Sequence, residues 1–278
     1  MVPSRGFLYA ATGEKSVREA IVAATQLHRV HPDVPSVLFT DRPDLARSGP
    51  FEQVIQVPEQ RWVRTEAKVW AVGRSPYEQT VYLDTDTFVC GDMTELFDVL
   101  DRFDVAGVPV TLRLAKGAHH ADPDDVPDAF QTINGGMLAY RRNDATAALF
   151  ERWWELYQAD RAAAGDDHIM DQPSLRVALW RTDCQLLIVP SEFNMRTKQY
   201  RSRPVAAVGR VRMIHGRPRD LHALDRKWNR SDRPRFLTPL FQYQLRLILR
   251  RVPRRLVPER VMRATLPLRQ RLTGQPGK

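Results

Sequence analysis

An apolar, β-prone run leads directly into two carboxylates, Asp84 and Asp86, within the segment TVYLDTDTFVCGD at residues 80–92. Side chains alternate across a strand, so we expect both acids to point to the same side of the strand. Two anions placed in this way repel each other unless a cation lies between them. Mg²⁺ and Mn²⁺ prefer oxygen ligands and often share them with a substrate's phosphates. The segment indicates a metal site, although such acid pairs also occur by chance in solvated turns.

The sequence before residue 231 alternates between strand and helix patterns. We predict strands at 7–12, 36–40, 53–57, 80–87, 104–110 and 133–140, with QLLIVP (185–190) and RMIHG (212–216) closing the sheet. Helices are predicted at 16–30, before the strand at 80, after Asp92 and Glu95 at capping-box spacing, and at 144–159 and 167–181. This alternation predicts an α/β fold with a mostly parallel central sheet flanked by helices.

The charge of the 278-residue chain is uneven. The net charge is +9, but the residues from 217 to the end hold 17 Lys or Arg against four acids, so the preceding 216 residues carry −4. We assign residues 1–230 to one domain and 231–278 to a basic C-terminal helical tail. Apolar residues recur in the tail at helical spacing. Such a helix can lie on an anionic membrane surface or pack on the domain.

Cysteine content and hydropathy bear on the cellular location. Two cysteines give no disulfide framework and fit a reducing compartment. The apolar run before Thr12 is too short for a signal peptide, and no stretch has transmembrane length. We therefore expect a cytoplasmic protein, with peripheral membrane contact as an option for the tail.

Four local patterns occur in a recognisable order. They are YLDTDT at 82–87, INGGML at 133–138, Asp-Gln at 171–172 and HGRP at 215–218. Together they resemble the DXD-motif glycosyltransferases of the GT-A fold, the glycogenin-like and bacterial lipopolysaccharide-type enzymes that transfer sugars from nucleotide diphosphates. The resemblance runs from about residue 7 to residue 219. It implies a GT-A catalytic domain over 1–230, with the tail as an appendage.

The resemblance implies roles for the acidic and histidine motifs. Asp84 and Asp86 would hold Mn²⁺ or Mg²⁺ on the diphosphate, with Asp84 and Thr85 also contacting the donor nucleotide. His215 would complete the metal shell, although a lone histidine is as often a core residue.

Gly216, next to His215, would allow close approach to the phosphates. The family's following lysine is absent here, so Arg217 or Arg219 would have to replace it.

The resemblance also implies which residues face the donor sugar. Asn134, Gly135 and Gly136 correspond to the family's Asn-x-Gly strand, where an amide bonds sugar hydroxyls and glycines let backbone come close. An ordinary strand with a bulge at Gly135 would show the same letters.

Asp171 and Gln172 match the pair that the family places below the anomeric carbon, and we expect them to be catalytic. A helix cap at Asp171, before Pro173, is the structural alternative. A rival metal cluster at Asp166, Asp167 and His168 ranks lower.

Small residues after the first strand, Ala10, Ala11, Thr12 and Gly13, match the place where the family receives the nucleotide base and ribose. They would equally suit a tight turn. Lys68 matches a cationic residue that contacts the diphosphate or donor sugar, and a solvated helix lysine is its alternative.

The resemblance implies a retaining, metal-dependent transferase that acts on a glycan, a lipid-linked or a small-molecule acceptor. The acids of the loop at 111–130 are expected to be solvated. One rival is a nucleotidyltransferase that uses the same acids. Another is a nucleic-acid-binding protein, suggested by the pI of about 9.9. No nucleic-acid-binding motif accompanies that charge and the body is acidic, so we expect no nucleic-acid partner.

Overall fold

The structure is a computed structural model that describes residues 4–60, 62–63, 65–110, 126–164, 170–197 and 205–237. The strands within these ranges are β1 (Arg5–Ala11), β2 (Ser36–Thr40), β3 (Gln53–Gln56), β4 (Gln79–Leu83), β5 (Thr87–Val89), β6 (Val105–Pro109), β7 (Ile133–Arg141), β8 (Leu186–Ile188), β9 (Met195–Arg196), β10 (Val205–Ala207), β11 (Met213–His215) and β12 (Arg235–Leu237).

Seven of these strands form the central sheet, in the order β3-β2-β1-β4-β7-β6-β8. Every neighbouring pair is parallel except the two pairs that involve β7, which runs antiparallel to β4 and to β6. The predicted α/β class with a mostly parallel sheet is confirmed.

Helices cover both faces of this sheet. The described α-helices are α1 (Glu14–Val30), α2 (Pro43–Ala46), α3 (Glu66–Val72), α4 (Glu95–Val99), α5 (Asp144–Ala164), α6 (Asp171–Trp180) and α7 (Leu221–Trp228). A 3₁₀ helix spans Ser191–Asn194. Each helix predicted within the described ranges is present, with ends that differ by a few residues.

The start of α4 differs from the predicted capping box. The helix begins at Glu95, and Asp92 Oδ1 instead accepts hydrogen bonds from the Thr94 backbone N–H at 2.8 Å and its hydroxyl at 2.7 Å. Asp92 therefore shapes the turn before the helix and does not cap it.

Strand β1 shows why the central strands read as apolar runs. Phe7 and Tyr9 point into a core that includes side chains of α1 and α4, whereas Leu8 points into a second core with α3, α5 and α6. A strand covered on both faces needs apolar residues at successive positions. The sheet thus separates two cores and forms the middle of three layers.

One strand prediction was wrong in its placement. RMIHG does not close the central sheet, because β11 lies in a separate three-stranded sheet between β5 and β9. A small core that contains Phe88, Ile214 and Trp228 supports this sheet. The short strand β5 begins directly after Asp86, so this second sheet starts at the turn that contains the two acids.

The predicted tail lies largely outside the described residues. Its described part includes β12, which pairs antiparallel with β10 in the register Val205↔Leu237. The rival cluster Asp166, Asp167 and His168, the first residues of the predicted helix at 167–169 and the loop residues 111–125 also lie outside the described ranges. In the part of the chain that is described, no helix combines the length and apolarity needed to cross a bilayer.

A substitution of Leu83 tests how much the layered core stabilises β4, the strand that leads to the acids. Its side chain is fully buried, and we expect Leu83→Ala to lower the free energy of unfolding by about 3 kcal/mol because it leaves a cavity. Val22→Ala is the matched control, since Val22 is 69% exposed and its loss should cost no more than about 0.5 kcal/mol. Urea denaturation measures both, and equal effects would contradict the layered arrangement.

Candidate functional site

The candidate residues converge on one edge of the central sheet. Strands β1 and β4 are parallel, so their carboxyl ends share an edge, and β7 begins there because it is antiparallel to β4. The amino end of α6 is tied to the same edge through Asp171, which contacts Lys68 of α3. In open α/β sheets this edge is where ligands bind.

Asp84 and Asp86 lie in a turn and not on a strand, which corrects the sequence prediction. Strand β4 ends at Leu83 and β5 begins at Thr87. The turn is fixed by hydrogen bonds from Asp84 N–H to the Gly136 carbonyl at 2.9 Å and from the Thr87 hydroxyl to the Asp84 carbonyl at 2.7 Å. This turn brings the two carboxylates to the same side, and the alternation of side chains along a strand is not the cause.

His215 lies between the two acids, as the metal-site prediction requires. Its Nε2 is 3.2 Å from Asp86 Oδ1 and 3.7 Å from Asp84 Oδ2, and one ligand atom from each residue lies within 4.8 Å of the others. Ligands about 2.1 Å from an octahedral ion are about 3 Å apart. The spacing and the mixed carboxylate–imidazole set therefore fit a divalent cation such as Mn²⁺.

Asp86 is held as an anion. Burial alone would raise the pKa of its carboxyl, but the hydrogen bond and charge of His215 and the charge of Arg217 outweigh burial and lower the pKa from 3.8 to about 2. The carboxylate form needed for a metal ligand is thus present throughout the neutral range.

Lys68 is a buried cation, which excludes the solvated-lysine alternative. Its side chain is 6% exposed, and Nζ lies 2.5 Å from Asp171 Oδ2 and 3.2 Å from Asp84 Oδ1. Burial would lower the lysine pKa, but the charges of Asp171 and Asp84 outweigh this effect and raise it. Lys68 therefore stays charged and joins the acid of the turn to the acid of α6.

Asp171 is the first residue of α6 and makes no capping bond, so the helix-cap alternative does not apply. Trp153 Nε1 donates to its backbone carbonyl at 3.0 Å, which fixes the helix start from α5. Asp171 Oδ2 is buried and has no well-aligned hydrogen bond, even though Lys68 lies close to it. Gln172 follows as a half-buried residue of the same first turn.

Asn134 is buried, and its carbonyl oxygen is already used. Oδ1 accepts from the Gly136 backbone N–H at 3.1 Å and from Asn194 Nδ2 at 2.9 Å. Both lone pairs of this oxygen are taken, so only the amide nitrogen of Asn134 remains for a sugar hydroxyl. The contact of Asn134 with a donor sugar stays a prediction, and in this structure its oxygen is not free to accept from such a hydroxyl.

Two glycines of β7 are required by neighbouring side chains. A Cβ on Gly136 would collide with the His215 ring and lie 2.8 Å from Asp84 Oδ2, and one on Gly135 would lie 2.9 Å from Asp171 Oδ2. The register between β6 and β7 also shifts between Gly107 and Pro109, the residues that face this stretch of β7. The glycine pair makes room for the cluster of acids, lysine and histidine.

Gly216 and Arg217 follow β11. Gly216 has a φ of 131° and donates its N–H to the Asp86 carbonyl at 2.8 Å. The Arg217 guanidinium contacts Glu19 through Nε at 2.5 Å and Nη2 at 2.7 Å, and Nη1 lies 3.0 Å from Asp86 Oδ2. Arg217 thus braces the second oxygen of Asp86 in this structure.

The residues after β1 lie at the same edge. Ala10 and Ala11 are the last two residues of β1. Because β1 and β4 are parallel and Leu8 pairs with Tyr82, the end of β1 lies beside the turn that follows β4. Thr12 is half-buried, and Gly13 has a φ of 77° with open space where a Cβ would point. Ala11 is buried, and the Gly13 N–H donates to Asp41 Oδ1 at 2.9 Å.

Tyr82, Glu19 and Asn194 also belong to this cluster, although the sequence analysis did not include them among the site residues. The Tyr82 hydroxyl donates to Asp84 Oδ1 at 2.7 Å, the Thr85 hydroxyl donates to Glu19 Oε2 at 2.7 Å, and Asn194 Oδ1 lies 2.8 Å from His215 Nδ1. Tyr82 had a signal, because it lies two positions before Asp84 on a predicted strand. Glu19 and Asn194 had none, because only folding brings them near the site.

Comparison with solved structures identifies the fold. The galactosyltransferase LgtC in complex with donor and acceptor sugar analogs has a TM-score of 0.53 at 16% identity, over 77% of this chain and 87% of that chain. An active-site mutant of LgtC gives 0.51 at 16% identity, over 81% and 83%. The apo form of the glycosyltransferase GlyE of Streptococcus pneumoniae gives 0.50 at 16% identity, over 82% and 61%.

No protein-family model and no curated protein sequence matches the chain. The likeness to solved structures at this identity establishes the fold, and the predicted GT-A fold is confirmed.

Gly136→Ala tests whether packing alone requires this glycine. We expect a loss of about 1–3 kcal/mol in the free energy of unfolding, because the new methyl group overlaps the His215 ring. The control is Gly209→Ala, where a Cβ would meet nothing within 4 Å. Thermal and urea unfolding without added metal compare the two variants. A neutral Gly136→Ala would contradict the packing described here.

The low pKa of Asp86 predicts a pH dependence of stability. The folded pKa is about 2 against 3.8 for the ordinary group, so the carboxylate stabilises the fold above about pH 4. This contribution, of about 2 kcal/mol, should be lost as the pH falls through 2. The difference in unfolding free energy between the native chain and Asp86→Asn, measured in chelator, should shrink across that window. A constant difference would contradict the assigned contacts.

Proposed function

We propose that this protein is a metal-dependent glycosyltransferase that moves a sugar from a nucleotide-diphosphate donor to a glycan, glycolipid or small-molecule acceptor, with retention at the anomeric carbon. One observation supports this most directly. Asp84, Asp86 and His215 present ligand atoms within 4.8 Å of one another, beside the buried Lys68–Asp171 pair, at the ligand-binding edge of a GT-A fold.

The charge of the cluster supports a divalent cation. Among the residues that the structure describes, its carboxylates and basic groups are Asp84, Asp86, Asp171, Glu19, Lys68 and Arg217. Four anions and two cations leave a net charge of −2 when His215 is neutral. A divalent ion would balance this charge, and the carboxylate and imidazole donors suit Mn²⁺, with Mg²⁺ as the alternative.

Asp84, Asp86 and His215 would hold this ion. When bound, it would act as a Lewis acid towards the departing diphosphate and so stabilise the charge that grows as the sugar–phosphate bond breaks. Arg217 would assist there only if its guanidinium leaves Glu19, because both of its terminal nitrogens are engaged in this structure.

Lys68 and Asp171 would act on the donor sugar. The buried Asp171 Oδ2 lacks a well-aligned hydrogen bond, so a sugar hydroxyl could donate to it. Lys68 pairs with that carboxylate and places positive charge close to where the diphosphate would lie. The amide nitrogen of Asn134 would donate to a further hydroxyl of the sugar.

Gln172 would line the sugar face opposite the leaving group. Retention requires that the acceptor oxygen arrive on the same face from which the phosphate leaves. An acceptor hydroxyl in that position can pass its proton to the departing phosphate oxygen, so this route needs no separate carboxylate base. Ala10, Ala11 and Thr12 would receive the nucleotide, because their strand end lies beside Asp84.

The basic C-terminal residues bear on the acceptor. Seventeen Lys or Arg against four acids from residue 217 onwards favour an acceptor held at an anionic surface. A lipid-linked acceptor at a membrane fits this charge, and we include it in the proposal.

Asp86→Asn is the central test. We expect loss of sugar transfer by roughly 100-fold or more, because the variant removes a ligand whose ion provides several kcal/mol of transition-state stabilisation. Circular dichroism should show an unchanged fold. Asp98→Asn is the matched control: Asp98 is 66% exposed, pairs with Arg5 and lies outside the cluster, so activity should persist.

The donor is found first by thermal shift, with a panel of nucleotide sugars in the presence and absence of Mn²⁺. Released nucleoside diphosphate supports glycosyl transfer, whereas released pyrophosphate would support nucleotidyl transfer. Unchanged turnover in Asp86→Asn, or no ion-assisted binding of any activated sugar, would overturn the proposal. Proton NMR of the fresh product distinguishes retention from inversion.

A further inference from the structure

A chain of hydrogen bonds behind the metal cluster starts from a backbone group. The Gly136 N–H donates to Asn134 Oδ1 at 3.1 Å, and a backbone N–H can only be a donor. This bond fixes which end of the Asn134 amide is the oxygen. The group of Asn194 that lies 2.9 Å from the same oxygen must therefore be its amide nitrogen.

The orientation of Asn194 then fixes the histidine. With its nitrogen turned to Asn134, Asn194 presents Oδ1 to His215 Nδ1 at 2.8 Å. An amide oxygen only accepts, so His215 Nδ1 must carry the hydrogen. The lone pair of the neutral ring is then on Nε2, the nitrogen that faces Asp84 and Asp86.

We infer that Asn194 is a positioning residue that selects the tautomer and ring orientation of His215 and thereby makes Nε2 a metal ligand. The inference rests on the proposed metal site. Hydrogen bonds to the distal nitrogen of a metal-binding histidine have this effect in general, and their loss typically weakens metal binding 10- to 100-fold.

The fold is built to hold Asn194 in this place. It ends the 3₁₀ helix just before β9, and β9 pairs in parallel with β11, in the register Ile214↔Met195. Asn194 is 2% exposed and Asn134 is 1% exposed. Water therefore has little access to replace either amide, and the hydrogen-bond chain is a fixed part of the interior.

Binding of Mn²⁺ alone to the full chain tests the inference without any sugar nucleotide. Free Mn²⁺ is measured by electron paramagnetic resonance during titration of the native chain and of Asn194→Ala. We expect the variant to bind Mn²⁺ about 10- to 100-fold more weakly. Asn143→Ala is the matched control. Asn143 makes comparable amide bonds to Asp104 and Thr146 beyond the opposite end of β7, and its loss should leave Mn²⁺ affinity unchanged.

Asn194→Asp separates positioning from packing. The aspartate keeps an acceptor for the His215 Nδ1–H but loses the donor to Asn134, and it buries a charge. If Asn194 acts by orienting His215, the aspartate variant should bind Mn²⁺ more tightly than the alanine variant. A purely structural role predicts that the aspartate variant binds no better than the alanine variant, and that result would overturn the inference.

The Mn²⁺ titration distinguishes a failure of this inference from a failure of the proposed function. If the native chain binds Mn²⁺ and Asn194→Ala binds it equally well, the inference is wrong and the proposed function stands. If the native chain takes up no Mn²⁺, the metal-dependent function and the inference are both wrong. Should Asn194→Ala fail to fold, Asn134→Ala breaks the same chain one step earlier and should also weaken Mn²⁺ binding. Unchanged Mn²⁺ affinity in that variant would overturn the inference.

Discussion

The ion pairs of Lys68 organise the candidate site. A buried ammonium is stable only beside compensating charge, and Asp84 and Asp171 provide it at 3.2 and 2.5 Å. The lysine comes from α3, one acid from the turn after β4 and the other from the start of α6. Its burial therefore holds α3, the turn after β4 and the start of α6 together at the edge of the sheet. Gly135 leaves the space in which they meet.

A second group of contacts surrounds the proposed metal ligands. Asp84 accepts from the Tyr82 hydroxyl, Asp86 is braced by Arg217, and His215 faces Asn194. Each ligand thus has a partner that restricts its rotation before any ion arrives. Such preorganisation lowers the entropic cost of binding an ion, because the ligands are already ordered. The turn between two sheets allows this, since β4 and β5 anchor both of its ends.

Motifs in the sequence predicted the proposed metal ligands but not the groups that hold them. Asp84 and Asp86 could be identified because an apolar run precedes them, and His215 because it matches the late histidine of the family that the sequence resembles. Their place in a turn was not predictable from β propensity, which continues through Thr87 and Val89. Glu19 and Asn194 are distant in sequence and carry no motif, so only tertiary packing assigns them. For the same reason RMIHG was placed in the wrong sheet, since strand propensity does not specify a pairing partner.

The pairing of β12 with β10 has a practical consequence for shortening the chain. An end placed at residue 230 would remove β12 and leave the backbone of β10 without its antiparallel neighbour. An uncovered strand edge invites association with other molecules. A truncated version that keeps residues up to 237 preserves this small sheet, and it is the better starting point for crystallisation.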